Sequence, residues 1–372
     1  MKRDFTLVLI SLTIWGIGES AFYYFQPLYL EQLGASPLVI GGILGAMGLA
    51  MTLVHIPAGY LADRIGRREL MWAAWGMGIL TTGIMAAARS LAFVAAGVIL
   101  YSLTVFVIAP LNSYATAARG GFSVEQAMTT TTAGYYLGGI IGPLIGGFLA
   151  DLYGLRSIYL FALILFILST LIILFIRPQP VEQKSQNPAG NLIRNRSFVL
   201  FLPYLFLVYL ALFLPQPLAP NFLQNQRGIT LQTIGSLGSI SNLGIVVLNL
   251  TFGQIPSQLG LILGQLFVGA FTVLIWKSTK IPVIGGAYFL LGGFRAIRSL
   301  LIAQVQKLVS SSNLGLAYGI SETVSGLAMA AAPPLAGALY AADPESIFKA
   351  AAILIGLTLL VTITRRRISW MS

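Results

Sequence analysis

GYLADRIGRR, Gly59 to Arg68, is the stretch on which the reading of this sequence turns. It sets one acid and three bases at the end of a long apolar run, in a chain of 372 residues that is 57% hydrophobic and only 9% charged. Mean hydropathy is +0.85. Charge at that density cannot solvate a soluble surface, so the chain reads as a membrane protein and the cluster as something placed at the end of a membrane segment. There is no cysteine, which removes disulfides and thiol chemistry.

A helix needs about 20 apolar residues to span the hydrocarbon core. Twelve such runs lie between polar breaks: 5–33, 37–63, 69–89, 91–118, 126–151, 156–177, 198–223, 230–257, 261–276, 281–308, 314–341 and 346–364. The first follows Lys2 and Arg3 as a signal peptide would, but it is too long and lacks a small-residue cleavage site, so it counts as a span. Placing the amino terminus inside puts fourteen of the 22 Lys and Arg on the cytoplasmic face and six outside, leaving Arg295 and Arg298 within the tenth span. Both termini are then cytoplasmic, and a cell membrane is the expected location. The net charge of +11 is mostly this topology signal. It points to anionic lipid headgroups as partners and not to nucleic acid.

RPQPVEQKSQNPAGNLIRNRS, Arg177 to Ser197, is the one strongly polar interruption, rich in Pro, Gln, Asn and Ser. It divides the chain into a six-helix bundle over 1–177, a cytoplasmic linker over 178–197 and a second bundle over 198–372. The halves lie on each other. FQPLYLEQLGASPLVIGG (Phe25 to Gly42) matches LAPNFLQNQRGITLQTIGS (Leu218 to Ser236) at Pro27 with Pro220, Gly34 with Gly228, Ile40 with Ile234 and Gly41 with Gly235. Downstream, Gly59, Asp63 and Gly66 fall on Gly253, Ser257 and Gly260 at the same spacing. A shorter repeat relates GYLADRIGRR to GFLADLYGLR, Gly147 to Arg156, across opposite faces, as an inverted three-helix repeat requires.

With these features together, the sequence resembles the major facilitator superfamily and, within it, the drug:proton antiporter type. The family's motif between helices 2 and 3 is complete as Gly59, Asp63, Arg64, Gly66, Arg67 and Arg68, and a second pattern in helix 5 is filled by Gly138, Gly142, Pro143, Gly146 and Gly147. The resemblance implies an all-α polytopic fold of twelve helices in two pseudo-symmetric bundles that work by alternating access. It further implies a clamp in which Asp63 meets the start of helix 11 near Ser312 to Leu314, with Arg67 and Arg119 as basic partners. A carboxylate at a helix amino terminus meets unpaired N–H groups and the positive end of the dipole. Arg64 and Arg68 read more simply as topology charges. The helix 5 pattern is associated in the family with antiport; its plainer reading is close packing of small residues.

Ionisable groups inside a membrane span usually persist for a function. Four stand out: Glu19, Arg295, Arg298 and Glu322. At 1.5 Å per residue Glu19 and Arg295 each lie about 20 Å from the cytoplasmic end of their helices, with Arg298 at about 15 Å and Glu322 at about 12 Å. The family's cavity is lined by helices 1, 4, 7 and 10, which would set Glu19 against Arg295, while Arg298 and Glu322 suggest a second pair. A desolvated Glu19 that takes up a proton when no cation is near would let proton and cationic substrate compete for one carboxylate. The structural alternative is a permanent Glu19–Arg295 ion pair. Further cavity candidates are Phe22, Tyr23, Phe25, Asn112, Tyr209 and Gln216, whose aromatic members suit lipophilic cations. His55, the one histidine, has no second ligand beside it in sequence and reads as packing.

No nucleotide-binding loop, metal cluster or activated nucleophile is present in the sequence, so neither enzyme activity nor a cofactor is expected. The reading is a monomeric secondary transporter, a proton-coupled exporter of amphiphilic or drug-like small molecules, with sodium as the alternative coupling ion. An uptake or exchange carrier for an organic anion held by Arg295 and Arg298 is the second reading. A non-transporting receptor is the third, disfavoured by the absence of a sizeable soluble domain.

Overall fold

The computed structural model describes residues 3–179, 192, 195–252, 254–309 and 314–365, and the side chains of these except 55–64, 125, 302, 314, 315 and 365. It holds sixteen α-helices and no strand among the described residues. In order they are α1 (Arg3–Tyr23), α2 (Gln26–Gln32), α3 (Pro37–Ile65), α4 (Arg67–Ala87), α5 (Leu91–Ser102), α6 (Ile108–Ala118), α7 (Val124–Tyr153) and α8 (Arg156–Ile173), then α9 (Arg196–Phe213), α10 (Ala219–Arg227), α11 (Leu231–Phe252), α12 (Ser257–Lys277), α13 (Ile281–Leu291), α14 (Gly293–Leu308), α15 (Leu314–Ala342) and α16 (Ser346–Arg365). Among the described residues, twelve spans are long and apolar enough to cross a membrane.

Sixteen helices for twelve spans means that some expected runs are interrupted. The first divides after Tyr23, the fourth passes through a 3₁₀ turn at Leu103–Val107, the seventh stops at Phe213 before α10, and the tenth divides at Gly292. The causes are local. Pro27 occupies the first turn of α2, where its missing N–H costs nothing. Pro110 has no N–H for the carbonyl of Phe106, which lies in the 3₁₀ turn. Pro215 and Pro217 follow the end of α9. Gly292 lies against the backbone of Gly244 and Ile245, too close for any Cβ.

Contacts group the chain into two units, one formed by residues 1–35, 49–184 and 228–239, the other by 36–48, 185–227 and 240–372. Within the first, α1 packs against α7 and α8, and α8 against α4. A buried polar knot ties α1, α4 and α8: Trp75 Nε1 donates to Ser11 Oγ at 2.9 Å and Ser169 Oγ at 2.8 Å, and the two serines share a 2.8 Å bond. Trp15 stacks on Phe166 with centroids 4.0 Å apart. Within the second unit, the equivalent helices α9, α12 and α16 carry a corresponding knot. Gln265 Nε2 donates to Thr362 Oγ1 at 2.8 Å, which also bonds Tyr204 Oη at 2.8 Å. Different side chains thus join the first, third and sixth spans of each half, as a duplicated bundle requires.

The loops repeat as well. Gly34 and Gly228, paired by the duplication, have φ of 91° and 64°. Gly66 and Gly154, paired by the inverted repeat, have φ of 105° and 80°. These are left-handed conformations that glycine adopts without steric cost. The surroundings of Gly59, the side chains of His55, Asp63, Arg64 and Leu314, the residues Ser312 and Asn313 before α15, and most of the 178–197 linker lie outside what is described. Arg67 is half-buried, Arg68 bonds Glu69 at 2.7 Å and lies over the Trp72 ring, and the Arg119 guanidinium donates to the Thr116 carbonyl at 2.6 Å.

Candidate functional site

The interrupted spans among the described residues are the first, fourth, seventh and tenth, and Glu19, Asn112, Gln216 and Arg295 lie at or near these interruptions, whereas Glu322 sits within the unbroken α15. Broken helices expose backbone polar groups within a membrane, and such groups are tolerated where they line a cavity or are met by protein. Glu19 lies one turn before the end of α1, Asn112 one turn into α6, Gln216 just past α9, and Arg295 in the first turn of α14.

In the first unit, half-buried Glu19 accepts a hydrogen bond at Oε2 from the Tyr135 hydroxyl of α7, at 2.8 Å. The buried Tyr101 hydroxyl of α5 lies beside it. The carboxylate therefore belongs to α7 as much as to α1. Phe22 is packed in the core, 5.3 Å from both Tyr101 and Tyr159 between ring centroids. Phe25 is buried as well, whereas Tyr23 is half exposed and meets Tyr24 edge-on. Asn112 is half-buried.

The second unit carries the remaining charges. Arg298 Nη2 donates to Glu322 Oε2 at 2.6 Å, linking α14 to α15, and both side chains stay partly open at 36% and 41% exposure. Tyr209 is buried beside this pair, with its ring edge-on to Phe294. Gln216 Nε2 donates to the Leu212 carbonyl at 2.7 Å, which caps the end of α9. Arg295 is half-buried, three residues before Arg298. Glu19 and Arg295 belong to different units. Tyr135 and Tyr101 were missed by sequence reasoning, because a tyrosine in an apolar span is indistinguishable from a packing residue until a carboxylate is placed beside it.

The motif glycines of α7 serve close approach. Gly138, Gly142 and Gly146, four apart, face the backbone of α1 at Thr13, Ile17 and Ala21, and an added Cβ at any of them would meet main-chain atoms. Gly147 and Pro143 face the start of α11 instead.

Twelve candidate spans among the described residues, a polar knot in each half and broken first, fourth, seventh and tenth spans define a polytopic all-α membrane protein built from two like halves. The chain belongs to the Major Facilitator Superfamily, whose model matches residues 8–205 and 201–369. Among similar proteins is an uncharacterised MFS-type transporter of Methanocaldococcus jannaschii, 26% identical over 294 residues that cover 73% of each chain. The multidrug resistance protein MdtG of Proteus mirabilis is 25% identical over 87% of this chain and 83% of its own. That of Enterobacter lignolyticus is 32% identical over 52% of this chain and 48% of its own. Among solved structures, the nucleoside transporter NupG superposes with a TM-score of 0.82 at 13% identity, covering 99% of this chain and 99% of that one. The human organic anion transporter MFSD10 gives 0.67 at 18% identity, covering 97% of this chain and 99% of that one. These likenesses show the fold.

Proposed function

We propose that this protein exports amphiphilic or drug-like small molecules by alternating access in exchange for protons, with both termini cytoplasmic and Glu19 as the shared site of proton and cationic substrate. The observation that carries this reading is the half-buried Glu19 carboxylate at the break of the first span, held by the Tyr135 hydroxyl of the helix that bears the antiporter-associated pattern. A carboxylate so placed gains from either a proton or a cation, and the two exclude each other. The multidrug resistance relatives support export of this kind of compound.

The second reading, a carrier for an organic anion held by Arg295 and Arg298, draws on the two arginines of α14. It is weakened at Arg298, whose guanidinium is already engaged by Glu322.

A thermal-shift screen of purified protein with lipophilic cations, organic anions and sugars at two pH values separates the two, since a ligand at 100 times its Kd stabilises by about 2.7 kcal/mol. The export reading expects stabilisation by cations that grows with pH and vanishes in Glu19→Gln. Stabilisation by anions, lost in Arg295→Ala, transfers the assignment to the anion carrier. In proteoliposomes, Glu19→Gln should abolish transport driven by a pH gradient while leaving expression intact; transport that survives the change removes Glu19 as the proton site.

A further inference from the structure

The helix α7 has two working faces. Gly138, Gly142 and Gly146 are spent on α1, but Pro143, Gly147 and Asp151, again four apart, meet the first turns of α11. Gly235 sits against the Pro143 carbonyl and Gly147, and Gly147 against the backbone of Leu231 and Gln232, with no room for a Cβ at either glycine. One turn further on, Asp151 Oδ2 accepts the backbone N–H of Gln232 at 3.0 Å. Gln232 is the second residue of α11, so its N–H is one of those the helix leaves unpaired, and the carboxylate also faces the positive end of the dipole. Arg156, the nearest base in sequence, is turned away: its guanidinium donates to the carbonyls of Ala86 and Ala87 at the end of α4, at 2.7 and 3.2 Å.

This contact falls where the chain changes allegiance. Residues 228–239 belong to the same unit as α7, while α11 from Ile240 onward belongs to the other. Asp151 also occupies, in the inverted repeat GFLADLYGLR, the place that Asp63 holds in GYLADRIGRR. By the parity of the spans its end of α7 lies at the face opposite the two termini.

We infer that Asp151 is a latch: its carboxylate caps α11 and, with the Gly147–Gly235 contact beneath it, holds residues 228–239 on α7, and this hold breaks and reforms in each transport cycle. The inference rests on alternating access but not on any substrate or coupling ion. The chain would then carry one carboxylate latch at each face, on the two halves of a single inverted repeat.

The natural absence of cysteine makes the test direct. Spin labels are placed on Tyr153→Cys, at the end of α7, and Gln232→Cys, whose backbone N–H is retained, and their distance distribution is read in lipid nanodiscs without ligand. The unaltered pair should show a dominant short-distance population. Asp151→Ala should raise the ratio of long to short distances about fivefold, the effect of losing one helix cap, and Asp151→Asn, which keeps an acceptor oxygen, should restore most of the short population. Gly147→Leu, which wedges the helices apart with the carboxylate present, should open the pair as well. Thermal unfolding of each variant guards against misfolding. Distances unchanged in both Asp151→Ala and Gly147→Leu would overturn the latch, whatever the substrate proves to be. A shifted distribution in a protein that transports none of the screened compounds would leave it standing and count against the export reading alone.

Discussion

The ion pair between Arg298 and Glu322 shows how exposure sets the worth of a charge contact. Both side chains remain more than a third exposed; where that opening is to a water-filled cavity, as the transporter reading requires, the pair keeps part of its solvation and is not a fully desolvated bridge. Arg298→Ala should therefore lower stability by only about 1 kcal/mol, and the double variant Arg298→Ala, Glu322→Gln should lower it less, because no unpaired carboxylate is left behind. Thermal unfolding of the four combinations measures this. At the loop between α15 and α16, Lys349 donates to Asp343 at 2.9 Å and holds its carboxyl below the usual range. The Trp276 N–H, and secondarily Lys349, do the same for Glu345. Depressed values mean that these contacts contribute fully above the ordinary values of 3.8 and 4.5 and are lost as the pH falls through the lowered ones. The unfolding temperature should drop on acidification through that window, and Lys349→Met should flatten most of the share due to Asp343.

At the scale of the helix, the glycine pattern of α7 is a packing device whether or not it also marks antiport. Gly142 lies against the Ile17 carbonyl and Ala21 of α1. Gly142→Leu should cost about 1–3 kcal/mol or prevent assembly, as overfilled interfaces do, and the yield of folded protein in detergent reports it. Gly42, in α3, faces open space, and Gly42→Ala should stay within about 0.5 kcal/mol of the parent. The interruptions of α1, α5, α9 and α13 carry the same lesson. Hydropathy treats 5–33 or 281–308 as one run, since it sums transfer preference and ignores hydrogen-bond geometry. The prolines and glycines at the breaks were visible as letters, but a proline inside a span is often tolerated. Which of them would break the helix depended on what packed beside it, as the Gly244 backbone does beside Gly292.

For the whole molecule, the units exchange short segments: residues 36–48 lie with the second and 228–239 with the first. Separate fragments 1–184 and 185–372 should each be unstable alone, having lost one exchanged segment, and should regain transport when co-expressed. Transport by either fragment alone would show that the exchange is not needed. The count of spans, the internal duplication and the pairing of Gly34 with Gly228 were legible in the order of residues; the left-handed φ at those glycines, and its absence at Gly260, the duplicate of Gly66, were not. A bilayer imposes span length and backbone satisfaction on each segment separately, so a local reading suffices. The partners of Glu19, Trp75 and Asp151 were not legible in that way. They sit 116, 64 and 81 residues from the groups they meet, and contacts between distant segments are chosen by helix packing, which no local pattern encodes.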